Sequence, residues 1–183
     1  MDFGHDTQCA LRTIVDLVNS APEIAGSDGL ESVADLADFV AEHEISEAGR
    51  LTRDELAAVR RLRGRLQEIL AAPDEPTAVR LVNALVADAR TTPRLTDHDE
   101  WSLHLHYYAP GAGLAEHVAA DGGMALAFVL AAGEWERLTT CDAPDCARVL
   151  VDFSRNRSRR YCDSKTCGNR LHVAAYRARQ RTG

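Results

Sequence analysis

Cys141 and Cys146 are separated by four residues, Cys162 and Cys167 likewise, and fifteen residues lie between the two pairs. Each short loop delivers two sulfurs from one direction, so the two pairs bring four thiolates to one point. That arrangement predicts a structural tetrathiolate zinc site, with no coordination position left open for a substrate. Disulfides and reactive thiols are the competing chemistries. An odd total of five cysteines and an expected cytoplasmic setting weigh against them. Cys9 stands apart near the start of an amphipathic helix and is expected to be a buried small hydrophobe.

The residues around the cysteines say what such a site would hold together. Val149, Val151 and Phe153 alternate as a strand, Ser154 to Ser158 reads as a turn, and Arg159-Arg160-Tyr161 reads as the returning strand. Arg155, Arg157, Arg159 and Arg160 then crowd the hairpin tip. Ser164 can cap a helix that carries Lys165 and Cys167 in its first turn. Along it Arg170, Arg177 and Arg181 fall within about 40° of one another at 100° per residue. Leu171, Ala174, Ala175 and Ala178 form the neighbouring apolar stripe. Knuckle, β-hairpin and helix make a treble-clef-like module over residues 140–183. A segment this short buries too little core to fold alone, and metal binding supplies roughly 10–16 kcal/mol in small zinc modules.

The net charge of −7 conceals a division. Residues 1–140 hold 11 Lys+Arg against 24 Asp+Glu, a balance of −13, whereas residues 141–183 hold 10 against 4, a balance of +6. Four thiolates and Zn²⁺ together add about −2, leaving the module near +4 and the whole chain near −9. An acidic body therefore carries a cationic tail, and only the tail is suited to meet nucleic acid.

The body reads as helices. Leu11, Ile14, Val15 and Val18 recur at helical spacing from about Thr7 to Asn19, and Pro22 ends the pattern. Ser32 opens a short segment with Val33, Leu36, Ala37 and Val40. Thr52 and Glu55 match a capping box before Leu56, Val59, Leu62, Leu66, Ile69 and Leu70. Pro76 can open a further helix at its first turn. Leu103, Leu105 and Tyr107 then alternate with His104, His106 and Tyr108, the period of a half-buried strand, with a partner strand expected around Arg94–Thr96. A last helix, expected from Ala112 to Ala132, has a soft middle at Gly122-Gly123.

The expected fold class is mainly α (α+β): a helical domain with a small β-hairpin over 1–139, and the zinc module over 140–183. At 183 residues, 45% hydrophobic and 27% charged, the chain is globular in composition. Its longest apolar run, Met124 to Ala132, is too short to cross a bilayer, and its first residues do not resemble a signal peptide. No P-loop, GxSxG or HExxH occurs, so an enzyme is not expected. His104 and His106 share a strand face near His98 and would suit a metal, but alternating polar residues on a hairpin are expected to form its solvent face. Asp97, Asp99 and Glu100 read as a solvated turn. Trp101, Tyr107 and Tyr108 are expected to be core, with a ligand pocket between hairpin and helices as the alternative. No effector is identified.

The run from Cys162 to Arg170, with Cys-Gly-Asn-Arg at 167–170, closely resembles the signature of the CGNR zinc-finger family. Cys141-x4-Cys146, the strand at Val149–Phe153 and the Ser154-Arg155-Asn156 turn fit the same pattern. In that family the finger follows an ABATE domain, and the proteins are described as stress-induced transcription regulators. Leu17-Val18-Asn19-Ser20 resembles the early helix end of that domain, and the Leu51 to Leu70 segment its central helix. The resemblance implies one structural zinc held by Cys141, Cys146, Cys162 and Cys167, with Gly168, Asn169 and Arg170 completing the signature. Gly168 would let the helix approach the knuckle, and Asn169 would tie hairpin to helix. Arg157 departs from the pattern, since the family often has glycine there.

The function expected on these grounds is a DNA-binding transcriptional regulator. Its contacts would come from Arg155, Arg157, Arg159, Arg160, Lys165, Arg170, Arg177 and Arg181, with the N-terminal domain serving regulation or formation of a homodimer. The alternative is a zinc-stapled module that binds an acidic protein.

Overall fold

The computed structural model describes residues 3–96, 104–169 and 173. Among the described residues six helices build the body: α1 (His5–Asn19), α2 (Pro22–Ala25), α3 (Val33–Glu42), α4 (Arg53–Leu70), α5 (Glu75–Asp88) and α6 (Leu114–Ala131). Between α5 and α6 lies a two-stranded hairpin of β1 (Arg94–Thr96) and β2 (His104–His106). After α6 come a 3₁₀ turn at Trp135–Arg137, then β3 (Leu138–Thr140), β4 (Val149–Val151) and a π-helical turn at Ser164–Gly168.

Local chemistry marks most helix starts. Ser32 accepts from the Asp35 N–H and Asp35 returns the bond to the Ser32 N–H, a complete capping box for α3. Thr52 accepts from the Glu55 N–H at 3.2 Å. Glu55 does not return that bond: its carboxylate lies against Gly113, where a Cβ would stand 2.7 Å from Oε1. Asp74 caps α5 through the Thr77 N–H, with Pro76 in the first turn as the sequence suggests.

Helix α6 is the axis of the body, packed by α1, α4 and α5. Buried residues occur around most of its circumference, from Leu114 and Val118 to Ala120, Ala125 and Val129, as expected for a helix surrounded by others. By length and composition it could cross a membrane, but 56% of it is buried inside the fold. Gly122 and Gly123 do not soften it. The helix runs through both, and a side chain at Gly122 would collide with Ile14, while one at Gly123 would press on Val86. These glycines let α1 and α5 approach the axis closely. Gly122→Ala is therefore expected to destabilise the chain by about 1–3 kcal/mol through overpacking, despite alanine's higher helix propensity. Urea unfolding of the variant checks this; unchanged or raised stability removes the close-approach reading.

The first hairpin forms with β1 as the expected partner strand, and in its register Arg94 pairs with His106, Leu95 with Leu105 and Thr96 with His104. The buried face is the opposite of the expected one. Leu95 is 65% and Leu105 43% exposed, whereas His106 is 8% and Tyr108 2% exposed. The physical reason lies in α6, which sets polar His117 and Asp121 beneath the hairpin, so the imidazole face finds partners inside. Tyr108 is core, as expected. Its ring stacks on His117 at 3.6 Å between centroids and its hydroxyl donates to Glu47 at 3.0 Å. The expectations for residues 97–101, including His98 and Trp101, fall outside the described residues. Cys9 is also corrected: it is exposed, with its sulfur 3.4 Å from His5 Nε2, because it lies off the Leu11–Ile14–Val18 face that α1 buries.

Candidate metal centre

Strand β3 leads directly into the first cysteine. Its antiparallel partner is β4, with Leu138 opposite Val151 and Thr140 opposite Val149. The expected partner, Arg159-Arg160-Tyr161, is not a strand. Arg159 instead gives its backbone N–H to the Asp152 carboxylate at 2.8 Å, and its guanidinium to the carbonyls of Val151 and Cys162 at 3.2 and 2.6 Å. These bonds hold residues 152–162 as a compact loop against the end of β4.

The knuckle sits in the connection between β3 and β4. Cys141 donates its N–H to Arg148 at 2.8 Å, and Cys146 donates to Ala143 at 3.0 Å, which turns both sulfurs to one side. The second pair arrives from the loop and the π-helical turn, where the Gly168 N–H reaches back to Asp163 at 3.0 Å. All four sulfurs lie within 4.8 Å of one another. Cys146 and Cys162 are 3.7 Å apart, and Cys162 and Cys167 3.8 Å. A tetrahedron with zinc–sulfur bonds of about 2.3 Å has edges of about 3.8 Å. The four cysteines thus form one structural zinc site, as the spacing predicts.

The thiols themselves call for a cation. Burial and the neighbouring sulfurs push Cys162 up to about 12, and burial also raises Cys146. At Cys141 burial is outweighed by the N–H groups of Ala143 and Cys162, so this thiol is lowered. Backbone dipoles favour the thiolate at Cys141, whereas Cys146 and Cys162 call for a metal's charge to ionise.

The loop that carries the arginines is organised by residues the sequence reading did not single out. Arg137, 4% exposed, bonds Glu134 at 2.6 Å and the carbonyls of Asp152 and Ser154 at 2.9 Å. Buried Asp152 accepts from the Ser154 and Arg159 N–H groups; burial raises its carboxyl, but those bonds and Arg137 outweigh it and hold it low. Arg157 has φ of +50°, the left-handed region that favours glycine, which explains why glycine suits this position. Its guanidinium bonds Glu134 at 2.8 Å and Glu136 at 3.2 Å. Arg160 pairs with Asp142 at 2.6 Å while staying 69% exposed. Arg155 is exposed, with no ion-pair partner among the described residues. Gly168 is buried beside Cys167 and Asn169 is exposed. Asn169 and Val173 have helical backbone, but the Lys165 side chain and Arg170, Arg177 and Arg181 fall outside the described residues, as does the Leu171–Ala178 stripe.

The finger is docked on the body. Asn19 donates its amide to the Val149 carbonyl and accepts from the Val149 N–H, both at 2.9 Å. Val151 belongs to the main core, and Arg12 lies 5.4 Å above the Phe153 ring. The end of α1 thus closes the free edge of β4. The sequence signal for this was an asparagine at a helix end, whose side chain can mimic a strand's donor and acceptor.

The CGNR zinc finger model matches residues 137–180. A search of curated proteins finds no match. The model for ABATE, described as "Putative stress-induced transcription regulator", matches residues 11–134, and the chain belongs to that family.

Proposed function

We propose that the chain is a DNA-binding transcriptional regulator whose zinc finger meets the DNA and whose helical domain serves regulation or dimerisation. The observation that carries this reading is the charge division: the +6 segment is the one organised around the four sulfurs. The contacts proposed are Arg155 and Arg160 on the loop and Lys165, Arg170, Arg177 and Arg181 on the segment beyond it. Arginine suits them because its planar fork takes phosphate oxygens or a guanine edge bidentately. Arg157, bonded to Glu134 and Glu136, and Arg159, bonded within the finger, position the loop and add to the local field. The matched families are regulatory and metal-binding in description, which supports a regulator and not an enzyme.

About six phosphate contacts imply a log–log salt slope of about −5.4, so affinity for duplex DNA is expected to fall about 10³-fold between 50 and 200 mM salt. Fluorescence anisotropy with the full zinc-loaded chain measures this. Absence of binding at 50 mM salt sinks the proposal. A module of this charge binds weakly alone, and pairing through the body would place two fingers on paired half-sites. A concentration-independent monomer in sedimentation removes that dimer.

A second reading has its own support. Arg157 and Arg160 already grip carboxylates of this chain, so the same arginines suit an acidic protein surface. Carboxylate-rich polypeptide competing the chain off DNA, or binding it when DNA does not, would favour that reading.

A further inference from the structure

The buried imidazole face of the first hairpin lies against α6, on the wall of a cavity of about 1120 Å³. We propose that His106, His117 and Asp121 form a second metal site, separate from the finger. It would take a divalent first-row ion of the Fe(II), Co(II), Ni(II) or Zn(II) class and present its open positions to that cavity.

The ligand set is built by two elements. His117 and Asp121 stand one turn apart on α6, and β2 brings His106 over them. The donor atoms of all three lie within 4.8 Å of one another. His117 Nε2 is 3.2 Å and His106 Nδ1 3.9 Å from the same oxygen, Asp121 Oδ2. Donors sharing an ion at about 2.0–2.2 Å stand about 3.0–3.5 Å apart, so the His117–Asp121 pair already has the right spacing and His106 has to move inward to complete the set. Two imidazoles and one carboxylate are the donors that borderline first-row ions prefer, and three of them leave room for water or a small anionic ligand.

The surroundings orient each donor. Asp121 Oδ1 accepts the Tyr107 N–H at 2.9 Å, which leaves Oδ2 turned to the histidines. His106 Nε2 is 2.9 Å from His104 Nε2. With Nδ1 on a metal, His106 carries its proton on Nε2 and donates it to His104, the outer hydrogen bond that metal-bound imidazoles make. His117 is held by stacking on Tyr108.

His117, 6% exposed, also keeps Nδ1 buried with no hydrogen-bond partner among the described residues, so a full set of hydrogen bonds does not account for its place in the cluster. The site lies in the body and does not depend on whether the finger binds DNA.

The test is a Co(II) titration of the full chain with zinc retained in the finger, read by elemental analysis after desalting and by visible absorption. One further equivalent is expected, with weak nitrogen/oxygen-type bands and no thiolate charge-transfer band. Asp121→Asn keeps an oxygen for the Tyr107 N–H but loses a ligand, and His106→Gln loses another. Each is expected to weaken that equivalent at least tenfold while finger zinc and far-ultraviolet circular dichroism stay unchanged. No second equivalent in the wild-type chain at tenfold excess Co(II) overturns the proposal. So does a second equivalent held as tightly by both variants as by wild type; if one variant fails to fold, the other decides.

Discussion

Cys162→Ser is expected to empty the finger of zinc, abolish the proposed DNA binding and leave residues from 141 onward open to protease, while α1 to α6 keep their helical signal. Cys162 is central to the site: its sulfur stands 3.7 and 3.8 Å from two partners, and its N–H donates to Cys141 Sγ at 3.4 Å. A serine hydroxyl is a weaker zinc ligand and stays protonated at neutral pH, so one of four bonds is lost together with the compensating charge. Among the described residues the finger has a small core of its own, chiefly Ala143 and Leu150 with the cysteines, so the ion carries much of its stability. The apparent zinc affinity of comparable modules, roughly 10–16 kcal/mol, exceeds the whole stability of most small domains. Loss of the thiolate charge-transfer band of the Co(II)-substituted finger, with limited proteolysis, checks this. A variant that keeps that band at full intensity after chelator dialysis contradicts it. The damage is expected to reach the body as well, since Val151 leaves the main core when β4 unfolds.

Arg63→Met is the second large effect, expected to cost about 3–5 kcal/mol at neutral pH. Arg63 lies in the middle of α4, 7% exposed, and its fork holds both Asp28 oxygens at 2.7 and 3.0 Å while Nη1 also reaches Ser20. Methionine keeps the apolar stem but strands the Asp28 carboxylate, which is 19% exposed. Arg60, 3.4 Å from Asp28, offsets part of the loss and favours the lower end of the range. Adding Asp28→Asn is expected to recover stability, because the stranded charge disappears. The hydrogen bond from Arg63 holds the Asp28 carboxyl at about 2, below its ordinary 3.8. A depressed carboxyl stabilises the fold above its unfolded value, so this contribution is full above about pH 4–5 and is lost as pH falls through about 2. Urea unfolding at pH 7 and between pH 5 and 2 measures both parts. A single-variant cost below about 1 kcal/mol refutes the assignment.

What the sequence discloses and what it conceals follow from the range of the forces involved. Helices α1, α3, α4 and α5 are legible because periodicity and capping are local, as with Thr52 before Leu56. The zinc ligands are legible because two short loops constrain their own sulfurs. The buried face of β2 is not, since a two-residue period offers two faces and the choice belongs to His117 and Asp121, over ten residues away on α6. The partner of β4 is hidden for a similar reason. Arg159 has the look of a strand residue, but Asp152 captures its N–H. Buried Arg63 and Arg137 carry no local signal of burial, because Asp28, Glu134 and the Asp152 carbonyl reach them only through the fold. Gly122 looks like a weak point in a helix, and only the proximity of Ile14 reveals a contact.

The Asn19 amide on β4 bears on how such chains can be recombined in evolution. The two matched segments meet at residues 134 and 137, which suggests a seam where one finger could be exchanged for another. The strand edge does not respect that seam, because its last donor and acceptor are supplied from residue 19. A finger grafted onto an unrelated helical body would arrive with Val149 exposed and unmatched. A new host for this finger would therefore have to offer an equivalent of one side chain that lies more than a hundred residues upstream.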